Sequence, residues 1–135
     1  MSAYLLDSHV FLWLMSGTRR LPAGVLDAIG GLDTRVFFSM VGVAELCIKN
    51  GLGKLALPAE VERDTAGGFE KIMHANRVEA LPLGLSHAAQ IRELPRHHRD
   101  PFDRLMIAQA MVENLTMVTH DRAFAQYDGL AVLWV

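Results

Sequence analysis

Short apolar segments, each followed by a stretch with helical periodicity, constrain the fold of this chain more than any other feature of its sequence. Apolar runs of strand length lie at residues 4–6, 36–38, 78–81, 115–119 and 130–135. Between these runs the apolar residues recur at intervals of three and four, which is typical of amphipathic helices. This alternation predicts an α/β fold with a mostly parallel central sheet of about four or five strands.

Capping residues and helix breakers set the expected helix limits. The predicted helices run from Ser8 to Gly17, from Pro22 to Gly30, from Ser39 to Gly51, over 58–74, over 86–94, and from Pro101 to Asn114, with a helical turn at 121–126. The pattern over 58–74 is amphipathic but is weakened by Gly67 and Gly68. Pro95 ends the helix over 86–94, and residues 95–100 are expected to form a loop.

The composition indicates one compact domain over residues 1–135. Hydrophobic residues make up 51% of the 135 residues, which is enough for a core without disulfides. The single cysteine, Cys47, cannot form an internal disulfide, so we expect a reducing, cytoplasmic compartment. The apolar runs are too short to span a membrane, and residues 1–6 lack the basic start of a signal peptide.

Four acidic residues stand out because they follow strands or interrupt apolar surroundings. Parallel sheets bind ligands at the carboxyl ends of their strands, and Asp7 and Asp121 follow two of the predicted strands. Glu45 lies in a helix that is apolar nearly all round, and burial of a carboxylate is costly unless it is paired or bound to a cation. Asp103 lies in the first turn of the helix that begins at Pro101. Asp100 directly precedes that helix.

Each of these acids also has an ordinary structural explanation. Asp7, Asp100 and Asp121 could cap the helices that follow them. Asp103 could favour its helix through the helix dipole, and Glu45 could pair with Lys49 one turn along. Taken together, the acids would meet at one end of the sheet, where they would repel each other without a counter-ion.

Clustered carboxylates suit a hard divalent cation such as Mg²⁺ or Mn²⁺, which could activate a water for attack on a phosphodiester. The histidines and the lone cysteine lack zinc-site spacing, and no Gly-rich phosphate loop or nucleophile elbow follows a strand. The net charge of −2 gives no general sign of nucleic-acid binding. Basic residues nevertheless crowd together at Arg92, Arg96, His97, His98, Arg99 and Arg104. This segment is either a basic rim for phosphates or a solvated loop.

The order and surroundings of the acids resemble the four motifs of PIN-domain proteins. The matching segments are Leu5-Leu6-Asp7-Ser8-His9, Glu45-Leu46-Cys47-Ile48-Lys49, His98-Arg99-Asp100-Pro101-Phe102-Asp103-Arg104, and Val118-Thr119-His120-Asp121. The resemblance covers essentially the whole chain and is strongest to VapC-type toxins. Ser8 stands where threonine is more usual, and Gly42 stands where serine is common, so a polar contact near Glu45 is expected to be missing.

This resemblance implies a three-layer α/β/α PIN-like domain over residues 1–135 with an acidic site that binds Mg²⁺ or Mn²⁺. The implied site residues are Asp7, Glu45, Asp103 and Asp121, with Asp100 as an accessory. The implied activity is endoribonuclease cleavage by a toxin that a cognate antitoxin inhibits and that commonly forms a homodimer. Within this hypothesis Ser8 and Thr119 could hydrogen-bond the acids, and Arg99 and Arg104 could contact RNA phosphates.

Two other functions stay open on the sequence alone. One is a catalytically idle binding or scaffold module that keeps the fold, which loss of Asp7, Glu45 or Asp103 would have favoured, although none of the three is lost. The other is a receiver-like phosphoacceptor domain, which would normally need paired acids after the first strand. For the antitoxin or a second copy, the candidate contacts are Phe11, Leu12, Trp13 and Leu14, each of which could instead pack in the core.

Overall fold

The computed structural model describes residues 1–17 and 20–135, and within them the chain alternates strands and helices as the sequence predicts. The strands are β1 (Ser2–Leu6), β2 (Thr34–Ser39), β3 (Val78–Leu81), β4 (Thr116–Thr119) and β5 (Val132–Trp134). The helices are α1 (Ser8–Ser16), α2 (Ala23–Ile29), α3 (Met40–Gly51), α4 (Ala59–Arg63), α5 (Thr65–Ala75), α6 (Leu85–Gln90) and α7 (Pro101–Glu113). Short 3₁₀ helices lie at Ile91–Glu93 and Arg122–Gln126.

The five described strands form one parallel sheet in the order β3-β2-β1-β4-β5. The chain runs outward from β1 through β2 to β3, and then returns to the other side of β1 for β4 and β5. The carboxyl ends of β1 and β4 therefore flank a topological switch point, where parallel sheets form their binding crevices. The order also differs from the 2-1-3-4-5 order of receiver-like folds, which argues against that alternative.

Two hydrophobic clusters cover the two faces of the sheet and give the predicted three layers. Successive residues of a strand point to opposite faces, so Leu5 and Leu6 of β1 belong to different clusters. The cluster that contains Leu6 includes residues of α1, α2, α4 and α5, whereas the cluster that contains Leu5 includes residues of α7 and the second 3₁₀ helix. Phe11 is 0% exposed in the first cluster, so of its two interpretations packing in the core is correct, and Phe11 is no longer a candidate contact.

The region predicted as one helix over 58–74 is two helices separated at Asp64. Asp64 caps α5 by accepting a hydrogen bond from the Gly67 backbone N–H at 3.2 Å. Gly68 lies against the α4 backbone, because an added Cβ there would be 2.7 Å from the Val61 Cα and 2.8 Å from the Glu60 carbonyl oxygen. The glycine that weakens the amphipathic pattern thus permits the close approach of two helices.

The segment predicted as a helix over 86–94 begins as α6 and ends as the 3₁₀ helix Ile91–Glu93. A tighter last turn before a proline is common, because the residue before a proline is disfavoured in helical backbone. Among the helices in the described residues, none is long and apolar enough to cross a membrane.

Gly42 is required by the packing of α3 on the sheet. An added Cβ at Gly42 would lie 2.5 Å from the Phe38 Cζ and 2.6 Å from its Cε1. The Phe38 ring is fully buried and stacks on Phe11 with 4.1 Å between ring centroids, so it has little room to move. Glycine, in place of the serine common at this position, therefore leaves room for the stacked rings of Phe11 and Phe38 in the core.

We predict that Gly42→Ala lowers the free energy of unfolding by about 1–3 kcal/mol through overpacking against Phe38. Urea denaturation of the two proteins measures the change. The matched control is Gly24→Ala in α2, where an added Cβ meets no atom within 4 Å. That control should raise stability by up to about 1 kcal/mol, since alanine favours helix. Equal effects at the two glycines would contradict the packing argument.

Candidate active site

Asp7 lies directly after β1, at the switch point of the sheet. Its side chain is buried and makes no capping hydrogen bond to α1, so the capping explanation for this residue is wrong. The carboxylate instead accepts a hydrogen bond from Thr119 Oγ1 at 2.8 Å, which joins the ends of β1 and β4. Burial raises the pKa of Asp7, against the lowering effect of the Thr119 hydrogen bond, and the negative charge of Glu45 raises it further.

Glu45 projects from α3 into the same site and is 2% exposed. Its Oε1 accepts a hydrogen bond from Ser8 Oγ at 2.7 Å, and its Oε2 accepts one from Lys49 Nζ at 2.6 Å. The ion pair expected from the sequence is therefore present. Ser8 Oγ also lies 3.4 Å from Asp7 Oδ1. A hydroxyl donates a single proton, so the shorter contact identifies Glu45 as the main acceptor of the Ser8 hydrogen bond.

Asp100 and Asp103 come from the start of α7. Asp100 caps this helix by accepting a hydrogen bond from the Phe102 N–H at 2.9 Å. Oxygen atoms of Glu45, Asp100 and Asp103 lie within 4.8 Å of one another. Burial of Asp103, together with the charges of Asp7, Asp100, Glu45 and Asp121, raises its pKa to about 8.

Asp121 follows β4 and completes the group of acids at the switch point. Its Oδ1 caps the second 3₁₀ helix by accepting a hydrogen bond from the Ala123 N–H at 3.0 Å. Its Oδ2 lies 3.2 Å from His98 Nε2. His98, Asp103 and Asp121 each offer one atom to a set in which all atoms lie within 4.8 Å of each other. No local pattern in the sequence predicts this place for His98.

Lys49 places a cation against this group of acids through its ion pair with Glu45. Burial acts to lower its pKa, but the hydrogen bond to Glu45 and the charges of Glu45, Asp100 and Asp103 raise it overall. The carboxyl groups that meet here are called the acid cluster, and they belong to Asp7, Glu45, Asp100, Asp103 and Asp121. The single ammonium of Lys49 cannot neutralise five carboxyl groups.

The acid cluster fits a divalent metal ion. Its donors are carboxylate oxygens, which Mg²⁺ and Mn²⁺ prefer, and they come from four separate parts of the fold. Burial first, and then the charges of the neighbouring acids, raise the pKa of Asp103, as expected where carboxylates are crowded together. Asp7, Glu45, Asp103 and Asp121 are therefore the residues that could hold such an ion, with Asp100 beside them.

The two arginines predicted to contact phosphates occupy different surroundings. Arg99 is exposed and lines a surface pocket of about 610 Å³ with Arg96 and His98. Arg104 lines the same pocket, but its Nη1 donates to the Pro95 carbonyl at 2.7 Å and its Nη2 to the Ile91 carbonyl at 3.2 Å. The Arg104 guanidinium is therefore already hydrogen-bonded to the backbone before α7. Arg99 is exposed and is the more accessible of the two to a phosphate.

Comparison with known proteins agrees with the fold described above. A family model described as PIN domain matches residues 4–130. A structure of VapBC2 from Rickettsia felis, bound to a promoter DNA fragment, includes a chain with 17% identity and a TM-score of 0.73 over 98% of both chains. FitAcB from Neisseria gonorrhoeae gives 28% identity and a TM-score of 0.63 over 96% of both chains.

A third similar structure is VapBC-5 from Mycobacterium tuberculosis, described as a member of the VapBC family of toxin-antitoxin systems. It shares 22% identity with a TM-score of 0.60, over 100% of this chain and 98% of that chain. The two structures with identities below 25% show a common fold. No curated protein matches the chain by sequence.

We predict that the metal-free protein loses stability as the pH rises. The unfolded chain ionises Asp103 near its ordinary pKa of 3.8, whereas the folded protein holds the proton until about pH 8. The folded state therefore binds more protons between these values, so the free energy of unfolding falls across that range. Thermal unfolding in EDTA should show this fall, and added Mn²⁺ should raise the melting temperature more at pH 7.5 than at pH 5.5.

Asp103→Asn removes the titrating group and should flatten the pH dependence in EDTA. Asp128→Asn changes an exposed acid outside the cluster and should keep the dependence of the parent protein. If the parent and Asp103→Asn proteins lose stability in parallel, Asp103 is not the source of the effect.

Proposed function

This chain belongs to the PIN domain family, and from that premise we propose that it is a Mg²⁺- or Mn²⁺-dependent endoribonuclease that acts as the toxin of a toxin–antitoxin pair. The observation that carries the proposal is the convergence of Asp7, Glu45, Asp103 and Asp121 at the switch point of the sheet. Carboxylates assembled in this way support metal-assisted hydrolysis of a phosphodiester better than any other chemistry of the described residues.

In this proposal Asp7, Glu45 and Asp103 hold one divalent ion, and Asp121 either binds a second ion or orients the attacking water. When bound, the ion supplies charge neutralisation at the phosphate and lowers the pKa of a water. The chain itself supplies orientation. Thr119 fixes the Asp7 carboxylate, and Ser8 fixes that of Glu45. These hydrogen bonds hold the oxygens in place before substrate arrives, which reduces the reorganisation needed during the reaction.

The basic pocket beside the acid cluster supports a polyanionic substrate. His98 contacts Asp121 of the cluster and also lines the pocket with Arg96 and Arg99. A strand whose phosphate lies at the acids can thus place a neighbouring phosphate against an arginine, which binds phosphate through two parallel hydrogen bonds. The choice of RNA as substrate rests on the resemblance to VapC-type toxins.

The proposed partner is a cognate antitoxin, because structures with this fold include members of a family of toxin-antitoxin systems. A homodimer and a cytoplasmic location are parts of the same proposal. Leu12, Trp13 and Leu14 of α1 are half-buried against the first hydrophobic cluster and remain candidate contacts for the antitoxin or a second copy.

An idle binding or scaffold module is the weaker interpretation. Loss of the site would relieve the repulsion within the acid cluster, yet Asp7 and Glu45 are kept and buried. Burying two carboxylates side by side costs folding free energy. A module without catalytic or metal-binding activity would gain nothing that offsets this cost.

We predict that the purified protein, free of antitoxin, cleaves total cellular RNA in Mg²⁺ or Mn²⁺ and not in EDTA. Asp7→Asn should reduce the cleavage rate by roughly 100-fold or more, because a site residue for the ion is lost. The matched control is Asp33→Asn, which changes an exposed acid at the opposite end of the sheet. Folding of each protein is checked by circular dichroism. A folded, metal-loaded protein that cuts no RNA would refute the proposal.

We also predict that Arg99→Ala weakens RNA binding with a shallower salt dependence. Binding of a single-stranded RNA is measured from 50 to 200 mM salt in the Asp7→Asn background, which prevents cleavage. The slope of log affinity against log salt should fall by about 0.7 for the loss of one phosphate contact. Arg63→Ala, an exposed arginine of α4 outside the pocket, is the control. An unchanged slope for Arg99→Ala would remove Arg99 from phosphate binding.

A further inference from the structure

His98 is a histidine whose ring is fixed at the edge of the acid cluster. Its side chain is only 8% exposed, although it lies in a loop. The ring stacks on Tyr127 with an angle of 14° between the planes, and it meets Phe124 edge-on at 4.9 Å between centroids. These contacts leave Nε2 directed at Asp121 Oδ2, 3.2 Å away.

The spacing of these atoms suits adjacent ligands of one ion. Two neighbouring ligands, each about 2.1 Å from an octahedral ion, lie about 3.0 Å apart. The distance of 3.2 Å from His98 Nε2 to Asp121 Oδ2 is close to that value. Asp103 offers a third atom within 4.8 Å of both. The three residues therefore form a mixed nitrogen and oxygen set next to the carboxylates of Asp7 and Glu45.

The other nitrogen of the ring has the partner that a metal-binding histidine needs. An imidazole that binds a metal through Nε2 carries its proton on Nδ1, and that N–H almost always donates to a neighbouring acceptor. His98 Nδ1 lies 2.9 Å from the Tyr127 hydroxyl, and Tyr127 is buried. The hydroxyl oxygen can accept this hydrogen bond, which would hold the ring in the orientation required.

We propose that His98 is a nitrogen ligand to a divalent ion held with Asp103 and Asp121, and that this site takes Mn²⁺ in preference to Mg²⁺. The inference rests on the proposed metal dependence, and it adds a ligand and a metal preference to it. Mg²⁺ is a hard ion that selects oxygen ligands, whereas Mn²⁺ accepts imidazole nitrogen more readily. A site with one nitrogen therefore discriminates between the two ions.

The test is pulsed electron paramagnetic resonance of the whole protein, with one equivalent of Mn²⁺ added in excess Mg²⁺. The excess Mg²⁺ fills sites made of oxygen alone, so Mn²⁺ reports the mixed site. The expected spectrum shows ¹⁴N coupling from a directly bound imidazole. His98→Gln should abolish the coupling and weaken Mn²⁺ binding by roughly 10-fold or more. His97→Gln, at the neighbouring histidine, should keep both.

Tyr127→Phe tests the supporting hydrogen bond to His98 Nδ1 separately from metal binding by His98 Nε2. It should keep the ¹⁴N coupling while weakening Mn²⁺ binding by roughly 10-fold, since it removes only the hydrogen-bond partner of Nδ1. Bound Mn²⁺ without ¹⁴N coupling in the parent protein would overturn the proposal and leave the metal-dependent nuclease standing. Absence of Mn²⁺ binding in excess Mg²⁺ would overturn the proposed preference and leave the metal-dependent nuclease standing, because that function also allows Mg²⁺. Absence of binding of both Mn²⁺ and Mg²⁺, each added alone, would overturn both proposals. The result for the parent protein does not depend on whether a variant folds.

Discussion

Repulsion among carboxylates that the fold buries together is the constraint on which the rest of this structure depends. Asp7 and Glu45 are almost fully buried, and their charges contribute to holding Asp103 protonated up to about pH 8. Hydrogen bonds from Ser8 and Thr119 offset part of this repulsion, and the ammonium of Lys49 offsets more. The remaining excess of negative charge favours the binding of a cation, as the proposed metal-dependent nuclease requires.

The sheet order explains how distant parts of the chain supply this site. The return of the chain across β1 places the ends of β1 and β4 side by side, so Asp7 and Thr119 meet although 112 residues separate them. Helices α3 and α7 then bring Glu45 and Asp103 over the same end of the sheet. A buried core on each face keeps these elements in register, since close-packed interiors resist small displacements.

Local patterns of sequence were sufficient to predict the strands, most helix limits and the acids that converge. Apolar periodicity is a local property, and the rule that parallel sheets bind ligands at the carboxyl ends of their strands pointed to Asp7 and Asp121. Features set by tertiary contacts could not be predicted in this way. His97 and His98 look alike in sequence and both pack against the Tyr127 ring. The polar contacts of the His98 ring nitrogens with the Tyr127 hydroxyl and Asp121 distinguish the two. The break at Asp64 likewise depends on the close approach of two helices at Gly68.

Arg104 connects the acid cluster to the basic pocket through its hydrogen bonds to the segment before α7. The Arg104 guanidinium donates hydrogen bonds to the carbonyl groups of Ile91 and Pro95, so the position of this segment is tied to α7, the helix that contains Asp103. The outward side chains of that loop, Arg96 and Arg99, do not take part in this attachment. Under the proposed function, exchange of those side chains would change the contacts offered to RNA, while the anchored backbone would keep its distance from the acids. The surface that meets the substrate and the carboxylates that carry the chemistry could then change independently.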